Sequence, residues 1–335
     1  MTRAKLELDG TDGGGQLLRP ALTLSCLGGQ AFEMTGIRGD RPTPGLRPQH
    51  LACVEAAATL TDATVEGADS GSETLRFEPA HTPRGDVTDD VGPAGRVPLV
   101  FDTVIPLAVG IDQPISLTAS GGTDVKWAPT LDFLREVKLP LLARTGLAAE
   151  TRLERRGFYP AGGGRATLHL APSALRPLSF ESRRALVVSV HAVAASDLAG
   201  ADVCERALER VRERLTVPVA EVTARYAETD CPGFALCLSV AGETRAGFDA
   251  LGEKGVPAED VADEVVDAFD EWLDGAGAVD EYLADQLVVP LALAGGVVSV
   301  PRVTPHLRTN LSLVDAFGYD LEMRTGDAGV VLRGA

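Results

Sequence analysis

His306 stands directly behind Pro305 in TPHLRTN, twenty residues past Gln286. A neutral imidazole is a nucleophile, and its ordinary pKa of about 6.5 leaves most of it neutral at pH 7. A lone histidine in a turn is more commonly a solvated side chain, so its company has to decide. Asp285 and Gln286 lie three and four residues after Tyr282, on one side of a helix. Arg38, Arg41 and Arg47 fall within ten residues in IRGDRPTPGLRPQH, with Gln49 and His50 just beyond. Three guanidiniums on one loop make a phosphate clamp; a surface loop offsetting an acidic chain fits equally. In DGTDGGGQLLR, residues 9–19, glycines free the backbone to approach a ligand, and the helix start that follows favours anions. Asp9 and Asp12 could there face a metal held by phosphates, although a plain strand–helix turn also fits. RGFYPAGGG, residues 156–164, either cradles a phosphate or lets two backbones pack, and packing is the commoner use.

The elements that must position these residues alternate. AKLELDG reads as a strand, LLRPALTLSCLGG as an apolar helix, AFEMTGIRG as a strand, and residues 46–60 as a helix. Helices are predicted over 97–110 and 129–145, with strands at PISLTASGG and RATLHLAP. After the turn-rich PSALRPLSFESRR, a block follows with strand LVVSVHAVA, helix DVCERALERVRERL and strand FALCLSVAG. Its closing helix, 257–273, is expected to bury Val261, Val265, Ala268 and Trp272 on one face. DEYLADQLVVPLALAGG then reads as a helix, and VVSVPRVTPHLRTNLSLVDAFG as strand, turn, strand. The fold class is α/β or α+β, with repeated units that residue identities do not demonstrate.

At 335 residues the chain suits two domains, or one with an insert. Hydrophobic residues make up 45% and aromatics only 5%, so the core rests on Ala, Val and Leu. No apolar run is long enough for a membrane span, and MTRAKLELDG has no secretory h-region; a cytoplasmic protein is expected. Cys26, Cys53, Cys204, Cys231 and Cys237 are scattered and form no CxxC pair, which argues against disulfides and a structural zinc. The net charge is −17 and only Lys5, Lys126, Lys138 and Lys254 are lysines, a balance that fits work in concentrated salt. Such a protein has little use for a broad basic surface, yet a few arginines can still grip one terminal phosphate.

Taken in order, LDGTDGGGQLLR, IRGDRPTPGLRPQHL, RGFYPAGGG, LGEKGVPAE, EYLADQLVVPLALA and HLRTN resemble the successive motifs of the RNA 3′-terminal phosphate cyclase family. The resemblance covers nearly the whole chain and is weakest over 180–245. It implies a fold similar to the enolpyruvate transferases: a large domain of three repeated α/β units, here 1–180 and 274–335, and a smaller inserted α/β domain at 181–273. It implies ATP-dependent conversion of an RNA 3′-phosphate to a 2′,3′-cyclic phosphate, with a divalent ion, Mg or Mn. His306 matches the histidine that carries the adenylyl group. Gln16, Asp102, Tyr282, Leu283, Ala284, Asp285 and Gln286 match the ATP site. Arg19, Arg38, Arg41, Gln49 and His50 match positions for the triphosphate or the RNA end, and Asp12 a metal position. The chain departs from the pattern where Asp12 replaces a glutamate on a turn two residues shorter, and where Arg96 and Asp102 replace a small polar residue and a glutamine. Two other readings remain: a non-catalytic relative in ribosome assembly, which would lack the histidine, and an enolpyruvyl-type transferase, which would not need it.

Overall fold

The computed structural model describes residues 5–326 and 329–335, so Ala4 of the expected first strand lies outside the described residues. Three four-stranded sheets follow one plan: strand, helix, strand, helix, strand, strand. The first contains β1 (Leu6–Asp9), α1 (Leu18–Gly28), β2 (Phe32–Thr35), α2 (Pro48–Thr61), β3 (Thr64–Glu66) and β4 (Leu75–Glu78). The second contains β5 (Val87–Arg96), α3 (Val97–Val104), β6 (Ile115–Gly122), a composite helix, β7 (Ala148–Arg155) and β8 (Gly164–Ala171). That composite is α4 (Leu131–Phe133), a π-helical turn at Leu134–Lys138, and α5 (Leu139–Ala143). The third sheet opens with β9 (Leu178–Phe180) and is interrupted by a fourth sheet with its own helices. These are β10 (Val187–Ala195), α6 (Val203–Arg214), β11 (Val219–Ala227), β12 (Phe234–Ala241), β13 (Arg245–Leu251) and α7 (Ala258–Asp274). The third sheet then resumes with α8 (Glu281–Gln286), α9 (Val288–Ala294), β14 (Gly296–Val300), α10 (Pro305–Ala316), β15 (Leu321–Gly326) and β16 (Gly329–Gly334).

In each of the three units the first two strands pair in parallel, which requires a crossover helix between them. The fourth strand pairs antiparallel with the second and the third. The repeat invisible in residue identities is therefore explicit in strand order. One hydrophobic core runs through all three units, joining Leu18 and Leu22 of α1, Phe101 of α3, Val288 of α9 and Val314 of α10. The fourth sheet packs its own core against α6 and α7, around Leu236, Leu238, Leu208, Phe269 and Trp272. Ala268 is exposed, and Ala262, Val266 and Phe269 share the buried face of α7 with Val261, Val265 and Trp272. Arg206–Glu259 and Arg210–Asp263 pairs tie α6 to α7.

Two helices differ from their sequence-based expectation because of proline. Pro140 has no N–H to give to the carbonyl of Glu136, and the run widens into the π turn. Arg245 of β13 donates to that freed carbonyl at 2.9 Å. Pro290 likewise deprives the carbonyl of Gln286, and the helix expected through residue 294 breaks at Leu287 into α8 and α9. A larger correction concerns residues 305–316, expected as turn and strand. They form helix α10, with Pro305 in its first turn, where a missing N–H costs nothing, and with Thr304 as cap accepting from Leu307 N–H at 2.8 Å.

RGFYPAGGG proves to be a packing device. A side chain at Gly157 would collide with the backbone of Gly121, Gly162 and Gly164. Arg156 is buried between Asp124 and Asp132, at 2.9 and 2.6 Å. Close by, Asp249 of β13 accepts from Thr130 N–H at 2.6 Å, and Asp280 accepts from Gly247 N–H at 3.0 Å. These carboxylates fasten the fourth sheet to the main body, and burial pushes Asp280 up to about 7.

Candidate active site

The Gly-rich turn touches the start of α2 through Gly15 and His50 and is linked to the cap of α10 through Gln16 and Asp285. Asp9 folds the entry to the turn by accepting from Thr11 N–H at 2.9 Å and from its hydroxyl at 2.6 Å. That carboxylate is therefore spent locally. Gly15 lies against the His50 ring: a Cβ there would come within 1.9 Å of Nε2. His50, buried in the first turn of α2, accepts from Arg47 N–H through Nδ1 at 3.0 Å, so the proton of its neutral ring sits on Nε2 and faces the glycine turn. Burial, then Arg19, Arg38, Arg96 and Arg47, force its pKa down to about 3.

His306 occupies the first turn of α10 with an exposed side chain. Among the described residues its ring has no hydrogen-bond partner. Partial burial, then the charges of Arg41 and Arg19, hold its pKa below the usual histidine value, which keeps the ring neutral and nucleophilic at pH 7. Arg38 and Arg47 are less free than their spacing suggests. Arg38 donates to the carbonyls of Thr43 and Gly45, and Arg47 to those of Thr43 and Pro44. They shape the loop, while the exposed Arg41 makes no side-chain bond among the described residues. Arg96 donates to Lys126 O at 2.9 Å and lies 5.5 Å from the ring centre of the exposed Trp127.

A pocket that reaches α10 at Asn310, one turn beyond His306, brings together Gln16 and Arg19 of the first unit, Asp102 of the second, and Asp285 and Gln286 of the third. Asp285 accepts from Thr304 Oγ1 at 2.9 Å and is bonded to Gln16, which links the Gly-rich turn to the cap of the histidine's helix. Its pKa still rises to about 6, because burial outweighs those bonds. Two lining residues escaped the sequence reading. Asn310, expected as a turn polar, is buried one turn beyond His306 and donates to Asp285 O at 3.3 Å. Lys138 is buried in the π turn and ion-paired with Asp102. Burial and then the charge of Arg19 draw it down to about 7. Its sequence signal was present: one of four lysines in the chain, set in the apolar run VKLPLL.

Other expected site residues stand apart. Leu283 and Ala284 are buried in the main core and offer no surface to a ligand, because α8 turns them inward. Tyr282 is 72% exposed on the same helix, under the influence of Asp249, Asp280 and Glu264, on the side of the fourth sheet. Gln49 is half-buried and Asp12 exposed. Among the described residues no three His, Cys, Asp or Glu side chains converge as a metal site. A metal held by protein ligands alone does not fit; one held chiefly by ligand phosphates, with Asp12 as a single carboxylate, does.

The sequence model of the RNA 3′-terminal phosphate cyclase family matches residues 11–322. The chain is 42% identical to an RNA 3′-terminal phosphate cyclase of Halobacterium salinarum, over 98% of this chain and 99% of that protein. It is 42% identical to one from Ectopseudomonas mendocina over 95% of this chain and 94% of that one. For one from Ralstonia nicotianae the identity is 43%, over 93% and 91%. Among solved structures, the enolpyruvyl transferase NikO of Streptomyces tendae aligns with a TM-score of 0.40 and 10% identity, covering 98% of this chain and 47% of that one.

Proposed function

The chain belongs to the RNA 3′-terminal phosphate cyclase family and is an enzyme of that kind, and from that premise we propose that it uses ATP and His306 to turn an RNA 3′-phosphate into a 2′,3′-cyclic phosphate. A nitrogen of the neutral His306 ring attacks the α-phosphorus of ATP. The bond to the β-phosphate oxygen breaks with its electron pair on the departing diphosphate, and an adenylyl-histidine remains. The RNA 3′-phosphate then takes the adenylyl group from His306. Its 2′-hydroxyl attacks the activated phosphorus, loses its proton and expels AMP. Activation is needed because a phosphate monoester has a poor leaving group, whereas AMP is a good one. The protein's share is alignment and charge neutralisation.

The observation that carries this reading is the exposed, unbonded His306 ring at the start of α10, held neutral beside Arg41 and Arg19. Arg19, Arg41 and the N–H of His50 supply donors for phosphate oxygens. Gln16, Asp285 and Gln286 supply polar contacts within the pocket, and the exposed Tyr282, outside its lining, a stacking face. A divalent ion, carried on the phosphates beside Asp12, would neutralise charge there. Residues 1–180 with 274–335 act as the large domain and 181–273 as the insert, a division supported by the core that the fourth sheet builds with α6 and α7, while a small cluster of Phe158 with Val193, Ala195 and Ala235 joins the two. The charge of −17 suits a cytoplasm rich in salt, like that of a halophile. Incubation with α-labelled ATP and a divalent ion in high salt tests the mechanism. Acid-labile, base-stable label on the protein is expected, and an intact fold that takes up no label would sink it.

A further inference from the structure

Among the described residues Lys138 is the only fully buried lysine, and its ammonium has one partner, Asp102. An ammonium carries three donors, so two remain to be met. The same pocket holds three more polar atoms without a hydrogen bond: the donor Nε of Arg19 and the acceptors Oδ1 of the buried Asn310 and Oδ1 of Asp102, the last paired with Lys138 by charge alone. Buried polar atoms are normally bonded, and a group of them facing one pocket points to a ligand. On the α1, α3 and π-turn side, two cations face one carboxylate, Asp102, because Asp285 across the pocket is occupied by Thr304 and Gln16. That side carries a surplus positive charge. Arg19 lies within electrostatic reach of both His306 and Lys138, so cationic groups lead from Arg41 at the histidine, through Arg19, to Lys138. The π turn presents Lys138 here, and such turns recur at functional sites.

We propose that Lys138, charge-paired with Asp102, is a phosphate-binding residue that takes the diphosphate part of ATP as it leaves the adenylyl group on His306. The assignment rests on the proposed function. In the transfer the α-phosphorus gains a bond to the imidazole nitrogen and loses its bond to the bridging oxygen. The electron pair of that broken bond stays on the diphosphate, whose added charge meets Arg19 and Lys138. Asp102, where a glutamine would otherwise stand alone, serves as the counter-ion that lets an ammonium sit at this depth.

Lys138→Gln tests this, since it removes the charge and keeps a donor for Asp102. Binding of ATP, inorganic diphosphate, AMP and a 3′-phosphorylated oligonucleotide is measured by calorimetry in high salt, alongside the ATP dependence of His306 labelling. Affinity for ATP and diphosphate is expected to fall ~10-fold or more, the loss of one charge-assisted hydrogen bond. AMP and oligonucleotide binding stay unchanged. Unchanged ATP and diphosphate affinity overturns the proposal. So does equal loss for AMP, which marks a structural role, and so does loss confined to the oligonucleotide, which assigns the phosphate to RNA. The double variant Asp102→Leu with Lys138→Met replaces the pair by apolar groups of similar bulk. It is expected to melt like the parent and show the same loss; a double variant that binds ATP normally again overturns the proposal. Absence of label on the parent protein counts instead against the adenylyl-histidine reading, so the two failures are distinguishable.

Discussion

His50 and His306 both sit in the first turn of the second helix of their units, His306 directly after Pro305 and His50 two residues after Pro48. Their surroundings are opposite. His50 is buried, bonded through Nδ1 and wedged against Gly15. His306 is exposed and its ring is unbonded among the described residues. Arginines lower the pKa of both, but burial drives only His50 as far as about 3. The difference teaches that the repeat supplies a helix start, and burial decides its use. A locked ring offers one directed N–H; a free ring can reach a phosphorus and leave it again.

The most severe way to break this comparison is to remove the free ring. His306→Ala is expected to abolish labelling by α-labelled ATP while shifting stability by less than about 0.5 kcal/mol, because an exposed side chain carries little packing; calorimetric melting checks the second half. Next in size, Gly15→Ala drives a methyl into the His50 ring and is expected to cost about 1–3 kcal/mol and most of the activity. Adding His50→Ala relieves the clash, so the double variant should be less destabilised than the sum of the two single changes. Simple additivity in denaturant titrations would show that the two residues do not touch.

A smaller effect separates the two rings by acid. The folded-state pKa of His50 lies below that of a free histidine, so its contribution to stability is complete above about 6.5 and declines as pH falls towards about 3. His50→Gln should flatten the stability–pH curve within that window, whereas His306→Gln should barely alter it. The smallest expected effect is kinetic. His306 labelling should persist below the ordinary histidine pKa and fade only at lower pH, since the neutral ring is the nucleophile. Arg41→Gln removes a nearby charge and should move that midpoint upward; a downward move would exclude Arg41 from the neighbourhood of the ring.

The order of the motifs that contain the glycine turns, His306, Asp285, Gln16 and Arg19 was legible in the chain, and the structure brings Gln16, Arg19 and Asp285 to one pocket. The alternation of strand and helix was legible for the same reason that periodic burial is. What failed was local. TPHLRTN looked like a turn because Pro305 and Asn310 are turn residues; in the first turn of a helix proline is equally at home, and Asn310 finds its partner on α8. Leu283 and Ala284 share a motif with Asp285 but face the core, since neighbours on a helix point in different directions. Lys138 gave only the faint sign of a lysine in an apolar run, as its partner lies thirty-six residues away in another helix.

By itself, then, the sequence determined which groups are present, in what order, and the helix starts and glycine turns that present them. Only the tertiary structure decided which histidine is caged and which is free, that Arg38 and Arg47 bind their own loop, and that Asp102 faces a buried ammonium. Those outcomes depend on burial and on charges contributed by three separate units, and dielectric and distance are properties of the packed assembly that no short stretch of chain carries.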